Sequence, residues 1–295
     1  MAARMIDARV RDGVAQASSG MFASVFGGNK LEEAAELLER AANEFKLAKD
    51  YRRAANAYEA LADARARAKE HHDAASAHAD CGHMYKRVNE TALAVTHYER
   101  AASLFAEMGR LAQSAKHLKE AGETLEASGD DERACGAYAR ASELYESEEG
   151  SSATANAVKL KTAAILSAKL ERFEEATQIF EDVGRASLGN NLLRFSVKGY
   201  FLQAGICRLC WCDAIGVLNA VDRYDESDPS FAQTRERDLL VKCAKAFESG
   251  DGDAFSSAVA DFDSMSRLDA WKTTMLLKAK KRIAHRVEAE EDDLT

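Results

Sequence analysis

Five ten-residue windows decide the fold: YRRAANAYEA (51–60), HHDAASAHAD (71–80), TALAVTHYER (91–100), LAQSAKHLKE (111–120) and DERACGAYAR (131–140). Small residues recur at Ala54, Ala74, Ala94, Ala115 and Ala134, each inside a helical stripe. Tyr58, His78, Tyr98 and Tyr138 follow four positions after four of them, and Leu118 sits three after Ala115. A period near twenty is one helix plus one turn, so two periods make a hairpin of about forty residues. Such a unit cannot bury its apolar face alone and must stack on neighbours. Stacked helical hairpins present an extended curved surface of the kind that binds other proteins, so the chain reads as a scaffold rather than a catalyst.

Working outward, the helical array runs over about 31–145. Breaks are expected where turn chemistry places them, at Lys49-Asp50, Met108-Gly109-Arg110 and Ser128-Gly129-Asp130-Asp131. Residues 1–18 read as a short Ala- and Arg-rich helix, and 19–29 break the pattern. A polar Gly/Ser joint covers 148–154. Helices resume through Leu170 and again over 173–183, and 184–191 read as a loop. From Leu192 the helices become more apolar and the twenty-residue spacing fades, which suggests a compact helical bundle capping the array. Loops are expected at 225–230 and 249–253, a last helix at 267–287, and a solvated acidic tail from Glu288.

Composition agrees. There is one proline, Pro229, in 295 residues. Proline breaks helix interiors, so its near absence fits an almost entirely helical chain. The net charge is −9. Five of those negatives, Glu288, Glu290, Glu291, Asp292 and Asp293, fall in the last eight residues. A globally basic nucleic-acid binder is thereby excluded, although a local basic face is not. Met1 to Arg11 mixes Arg and Asp without an apolar core, which places the six cysteines in a reducing cytosol as packed free thiols. No apolar run approaches the ~18 residues that span a bilayer.

Catalytic and metal constellations are thin. Cys207, Cys210 and Cys212 sit at i, i+3 and i+5 of one helix, where they do not converge as a tetrahedral zinc site requires, and read as core. His71, His72, His78 and Cys81 lack a second ligand pair and read as structural. No GxxxxGK[ST] loop and no GxSxG elbow occurs. No enzyme, cofactor or metal is expected.

Two segments stand apart. Met21-Phe22-Ala23-Ser24-Val25-Phe26 is apolar, lies between polar helices and ends in Gly27-Gly28. Its aromatic residues either tuck under the first hairpin or form a tip for weak, reversible membrane contact. At the other end a basic helix carries Lys272, Lys278, Lys280, Lys281, Arg282 and Arg286 ahead of the acidic run and Leu294. Those cations either offset the helix C-terminal dipole or belong, with the acids, to a docking tip.

At these residues the chain resembles the soluble NSF attachment proteins of the alpha/beta type, over essentially all 295 residues. The resemblance rests on Phe22-Ala23-Ser24-Val25-Phe26-Gly27-Gly28, on YERA (98–101) through Met108-Gly109-Arg110, on LLRFSVKGYF (192–201), on DSMSRLDAWKTTMLL (263–277), and on the ending Glu291-Asp292-Asp293-Leu294. It implies an all-α fold: a twisted right-handed superhelix of antiparallel TPR-like helical hairpins over 1–190, a C-terminal helical bundle over 191–287, and an acidic tail over 288–295. The implied function is that of an adaptor. It would bind assembled SNARE four-helix complexes, several copies to each, and recruit and stimulate the AAA+ ATPase NSF. A general TPR-type scaffold or chaperone adaptor for acidic peptides is the alternative.

The resemblance also implies roles for particular residues. Lys86, Arg87, Arg110, Lys116, Lys198 and Arg235 match the family's basic SNARE-facing sites. One further family lysine falls near Val158, with Lys159 and Lys161 as substitutes. Asp213, Glu248, Asp292 and Asp293 match ATPase-contacting acids, while Lys245 and Ser249 stand where the family has two more. Leu294 matches the leucine tied to stimulating ATP hydrolysis. Phe22, Val25 and Phe26 match the membrane-contacting loop of a cytoplasmic, peripherally attached protein.

Overall fold

The structure, a computed structural model, describes residues 28–292. Among these residues it contains α-helices and two short 3-10 turns and no strand. The helices are α1 (Gly28–Leu47), α2 (Tyr51–Arg67), α3 (His71–Arg87), α4 (Thr91–Glu107), α5 (Leu111–Ser128), α6 (Asp131–Glu146), α7 (Ser152–Ala168), α8 (Phe173–Leu188), α9 (Val197–Leu209), α10 (Ala214–Ser227), α11 (Arg235–Glu248), α12 (Gly252–Met265) and α13 (Ala270–Asp292). The chain divides into two compact units, Met1–Ala155 and Asn156–Thr295. That division follows packing, whereas the expected one at residue 190 follows the fading of the repeat.

In the first unit each of α1 to α5 packs against the next. Short turns between packed neighbours make them antiparallel. The joints repeat with a strict period. Lys49, Lys69, Asn89, Gly109 and Gly129, twenty residues apart, take positive φ of 57–83°. The following amide then folds back onto the finished helix: Asp50, Glu70, Glu90, Arg110 and Asp130 donate to the carbonyls of Phe45, Arg65, Tyr85, Phe105 and Leu125 at 2.8–3.0 Å. The same five residues open the next helix, their own carbonyls accepting from the amides of Ala54, Ala74, Ala94, Ser114 and Ala134. The small repeat position in the fourth window is therefore Ser114, buried like the alanines, rather than its neighbour Ala115. The joints at Lys69 and Asn89 were not expected from turn chemistry. An L residue pays roughly 1–2 kcal/mol in this conformation, which the 6→1 bond and helix packing offset.

Large residues of one helix seat on small residues of the one before it. A Cβ added to Gly82 would lie 2.8 Å from the Tyr98 ring, and one added to Gly122 would lie 2.7 Å from the Tyr138 ring. Glycine there removes the atom that would hold the helices apart. The tyrosine hydroxyls reach polar partners at the rim: Tyr58 donates to Asn43 Oδ1 at 2.8 Å and Tyr138 to Glu126 Oε2 at 2.9 Å.

In the second unit α9 is the centre, in contact with α8, α10, α11 and α13. Val197, Phe201, Leu202, Ala204, Gly205, Ile206, Cys207 and Leu209 are all buried, so it is apolar on every side as a central helix must be. Phe201 stacks on Tyr224 at 4.6 Å between ring centres and meets Phe231 edge-on. Its ring also presses on Gly184, where an added Cβ would lie 2.8 Å away. The expected loop at 184–191 is thus corrected: Gly184 lies inside α8, a packing seat rather than a breaker. Glu181 is the centre of a buried ionic cluster here. Glu181 Oε1 accepts from Arg208 Nη2 at 2.7 Å and from the Tyr224 hydroxyl at 2.6 Å. Removing one partner of such a buried pair would leave the other charge uncompensated.

Other boundaries shift modestly. Gly28 and Asn29 already belong to α1, and α13 starts at Ala270, with Asp269 accepting from the Lys272 amide at 2.8 Å. The same helix continues to Asp292, so the acids expected as a solvated tail from Glu288 begin on helix. The readings of 1–18 and of the apolar loop before Gly28 lie outside the described residues.

The cysteine and histidine readings resolve locally. Cys81 donates to the Ala55 carbonyl and Cys210 to the Met275 carbonyl, each at 3.3 Å. Cys207 is fully buried, and burial pushes the Cys210 and Cys243 thiols up to about 12. His78 and His97 meet through their Nδ1 atoms at 3.1 Å, so one must donate and the other accept. Burial, then the facing His97, pulls His78 down to about 4, and burial lowers His97 as well.

Two outcomes follow. Gly122→Ala should lower stability by about 1–3 kcal/mol through overpacking against Tyr138. Gly136→Ala, on the exposed side of α6 with nothing within 4 Å, should raise it by about 0.5–1 kcal/mol. Urea midpoints measure both. The histidine pair gives a pH dependence. Its folded pKa values lie below the ordinary ~6.5, so the unfolded chain binds more protons in that interval. Stability is full above about 6.5 and falls as pH drops toward 4, by up to about 1.4 kcal/mol per unit for each proton taken up on unfolding. Urea midpoints at pH 7.5, 6 and 5 check the slope, which His97→Gln should flatten.

Candidate protein-binding surfaces

The basic residues of the first unit occupy both ends of its helices. Lys86 and Arg87 are the last residues of α3, exposed to solvent. With Lys46 of α1, Asp80, His83 and Met84 they line an open recess of about 610 Å³. Lys46 was not expected there. Its signal was present, because Lys46 and Lys86 stand forty residues apart at equivalent positions of two hairpins. Lys116 is exposed on α5. It lies close enough to His83 and Glu120 to depress both: His83 is lowered chiefly by burial, and Glu120 is lowered because hydrogen bonding to His117 and nearby cations outweigh burial. His117 Nδ1 sits 2.8 Å from Glu120 Oε2, so that carboxylate is already engaged.

Arg110 opens α5 as its N-cap residue. Since α3 and α5 are both antiparallel to α4, Arg110 and the Lys86–Arg87 pair lie at opposite ends of parallel helices, about 25 Å apart along the axis. These cations form an extended distribution rather than one patch. Many basic side chains of this unit are matched internally, as in Arg65–Glu70, Arg133–Asp130 and Arg140–Glu99. Lys86, Arg87 and Lys116 form no ion pair among the described residues.

In the second unit Val158 is buried in the core and is replaced at the surface by its half-buried neighbours Lys159 and Lys161. Two residues apart on a helix, these point about 200° from each other and cannot serve one surface. Lys198, in the first turn of α9, is paired with Glu236 at 3.2 Å and lies over the Phe195 ring at 5.4 Å. Arg235 opens α11 beside Glu236, exposed, and lines a shallow recess with Asp238, Lys242 and Asp261. Leu192 and Phe195 stand 90% and 82% exposed just before Lys198.

The acidic residues have local duties. Asp213 caps α10, its Oδ1 accepting from the Gly216 amide at 2.7 Å. The turn it stands on is held from α13. Arg282 donates from Nη1 to the Leu209 carbonyl at 2.8 Å and the Cys212 carbonyl at 3.0 Å, and from Nη2 to Trp211 at 3.4 Å. Its guanidinium also covers the Phe247 ring at 5.0 Å. The cation thus offsets the C-terminal end of α9, a helix some seventy residues earlier, rather than its own. Lys272 and Lys278 pair with Asp269 and Glu171. Glu248 is the exposed last residue of α11, with Lys245 and Ser249 exposed nearby. Phe22, Val25, Phe26, Asp293 and Leu294 lie outside the described residues, and Asp292 ends α13.

With these positions fixed, comparison with known sequences is decisive. The family described as "Soluble NSF attachment protein, SNAP" matches residues 10–284. The chain belongs to this family. It is 46% identical to the alpha-soluble NSF attachment protein of Vitis vinifera, covering 91% of each chain. It is 42% identical to that of Dictyostelium discoideum, over 92% of each. It is 37% identical to that of Mus musculus, over 94% of this chain and 92% of the relative. Among the described residues no helix is long and apolar enough to cross a membrane.

The capping geometry separates charge from structure at Asp213. Asp213→Ala should cost about 1 kcal/mol by losing the cap, whereas Asp213→Ser keeps the cap, removes the charge and should melt within about 1 °C of wild type. Arg282→Met should cost about 2 kcal/mol by stranding the α9 carbonyls. Thermal melts of the three variants check this.

Proposed function

We propose that this protein is an adaptor that binds assembled SNARE four-helix complexes and recruits and stimulates an NSF-type AAA+ ATPase for their disassembly in vesicle fusion. Family membership supports the reading. The observation that carries it is the exposed set Lys86, Arg87 and Lys116, cations spread along a regular helical array with no carboxylate partner among the described residues. A ligand with scattered carboxylates along a long helical bundle suits such a lining. Each exposed contact is worth ~0–1 kcal/mol, so binding is salt-sensitive and tolerant of register. Several copies, each also held by the ATPase and the membrane, gain through effective concentration.

In this reading Arg110, Lys159 or Lys161, Lys198 and Arg235 extend the same complement. Lys198 must exchange Glu236 for a carboxylate of the partner. Asp213, Glu248, Asp292, Asp293 and Leu294 face the ATPase. Phe22, Val25 and Phe26 touch the cytoplasmic membrane surface, where two aromatic side chains give attachment worth a few kcal/mol. The protein itself performs no catalysis.

A disassembly assay with purified ATPase and SNARE complex, with and without this protein, tests the reading: disassembly should require it. The Lys86→Glu, Lys116→Glu double variant should bind SNARE complex about tenfold more weakly at 0.15 M salt, with the gap closing as salt rises. Equal binding by variant and wild type at low salt would overturn the proposed face. Leu294→Ala should bind SNARE complex normally while stimulating less ATP hydrolysis.

A further inference from the structure

Of the C-terminal basic residues with described side chains, Lys272, Lys278 and Arg282 have structural partners. Lys280 has none among the described residues, yet it is half-buried. It stands at a cleft of about 420 Å³ between α12 and α13. The cleft walls are apolar, formed by Phe255, Val259, Leu268, Leu276 and Leu277. Leu277 remains 57% exposed at the rim of this cleft.

Charge is distributed unevenly around this cleft. Lys280 marks the end near the start of α12, its Cε lying 3.6 Å from where a Gly252 Cβ would be. Arg267, in the α12–α13 turn, marks the other end and forms no ion pair among the described residues. The one lining carboxylate, Asp263, is occupied, accepting from the Leu268 amide at 2.7 Å. Asp251, which opens α12 near Lys280, spends its Oδ1 on the amides of Asp253 and Ala254. An apolar trough of this volume with few polar groups is the usual form of a small-molecule site.

We propose that the α12–α13 cleft binds a single-chain carboxylate amphiphile, its acyl chain along Phe255, Val259, Leu276 and Leu277 and its head paired with Lys280. An anion is selected because the lining carries two cations, Arg267 and Lys280, against one carboxylate, Asp263, which leaves it net positive. A chain rather than a compact ring is selected because the cleft follows two antiparallel helices.

The full-length protein titrated calorimetrically with dodecanoate, below micelle formation, tests this, with dodecyltrimethylammonium as the cation of equal chain length. The expected result is saturable 1:1 binding of dodecanoate, at least tenfold tighter than the cation. Lys280→Glu should weaken dodecanoate at least tenfold, and Val259→Trp, which fills the trough, should abolish binding. If Val259→Trp does not fold by thermal melt, Ala260→Trp at the cleft's exposed edge takes its place. Non-saturable uptake, equal binding of both amphiphiles, or wild-type binding by a folded Trp variant would each overturn the proposal. So would capture of an acidic amphipathic peptide by the same cleft with no dodecanoate binding.

Discussion

The closeness with which one helix may approach the next governs this protein. Tyr98 against Gly82, Tyr138 against Gly122 and Phe201 against Gly184 are one device used in both compact units: a flat ring on a backbone with no Cβ. Dispersion forces fall steeply with distance, so contact at this range makes a helix pair rich in alanine cohere without large aliphatic cores. The alanines at 54, 74, 94 and 134 serve the same end at the start of each helix. Once approach is fixed, the turns have little freedom. A joint of two or three residues with one left-handed residue spans the gap, whether that residue is Gly or, as at Lys49 and Lys69, a long side chain exposed to solvent.

Most of the architecture was legible because it is periodic. The spacing of small and aromatic residues placed the array, and proline depletion made the chain helical. What failed was reading residue type without context. Lys69 does not announce a turn, because the 6→1 hydrogen bond and not the side chain holds the left-handed conformation, whereas Asn89 is a residue type that favours this conformation at a helix end. Gly184 does announce one and is instead a seat for Phe201. Ser114 carries a hydroxyl that reads as polar, yet it is buried where the other repeats place alanine.

The surfaces were legible as an inventory of charges but not as a circuit. The sequence supplies Lys198 and Glu236, or Arg282 and the Cys207–Cys212 segment, but only folding joins them. A lysine held by Glu236 and one with no partner differ in what a ligand must displace, and nothing local distinguishes them. Asp213 is the exception: an acid three residues before Gly216 at a helix start is a local cap signal. Its structural duty and its charge are separable, which matters wherever a docking role is assigned from charge alone.

The fixed joint interval makes the array modular. Each of the first helices touches its sequence neighbours, and every joint is chemically alike. Gain or loss of forty residues leaves each ring on its seat and each cap on its helix. Gain or loss of one residue within a helix rotates everything beyond it by about 100° and unseats the next ring. Evolution can therefore alter the reach of such a protein only in whole hairpins, and variation in its length among relatives should be quantised in the array and continuous elsewhere.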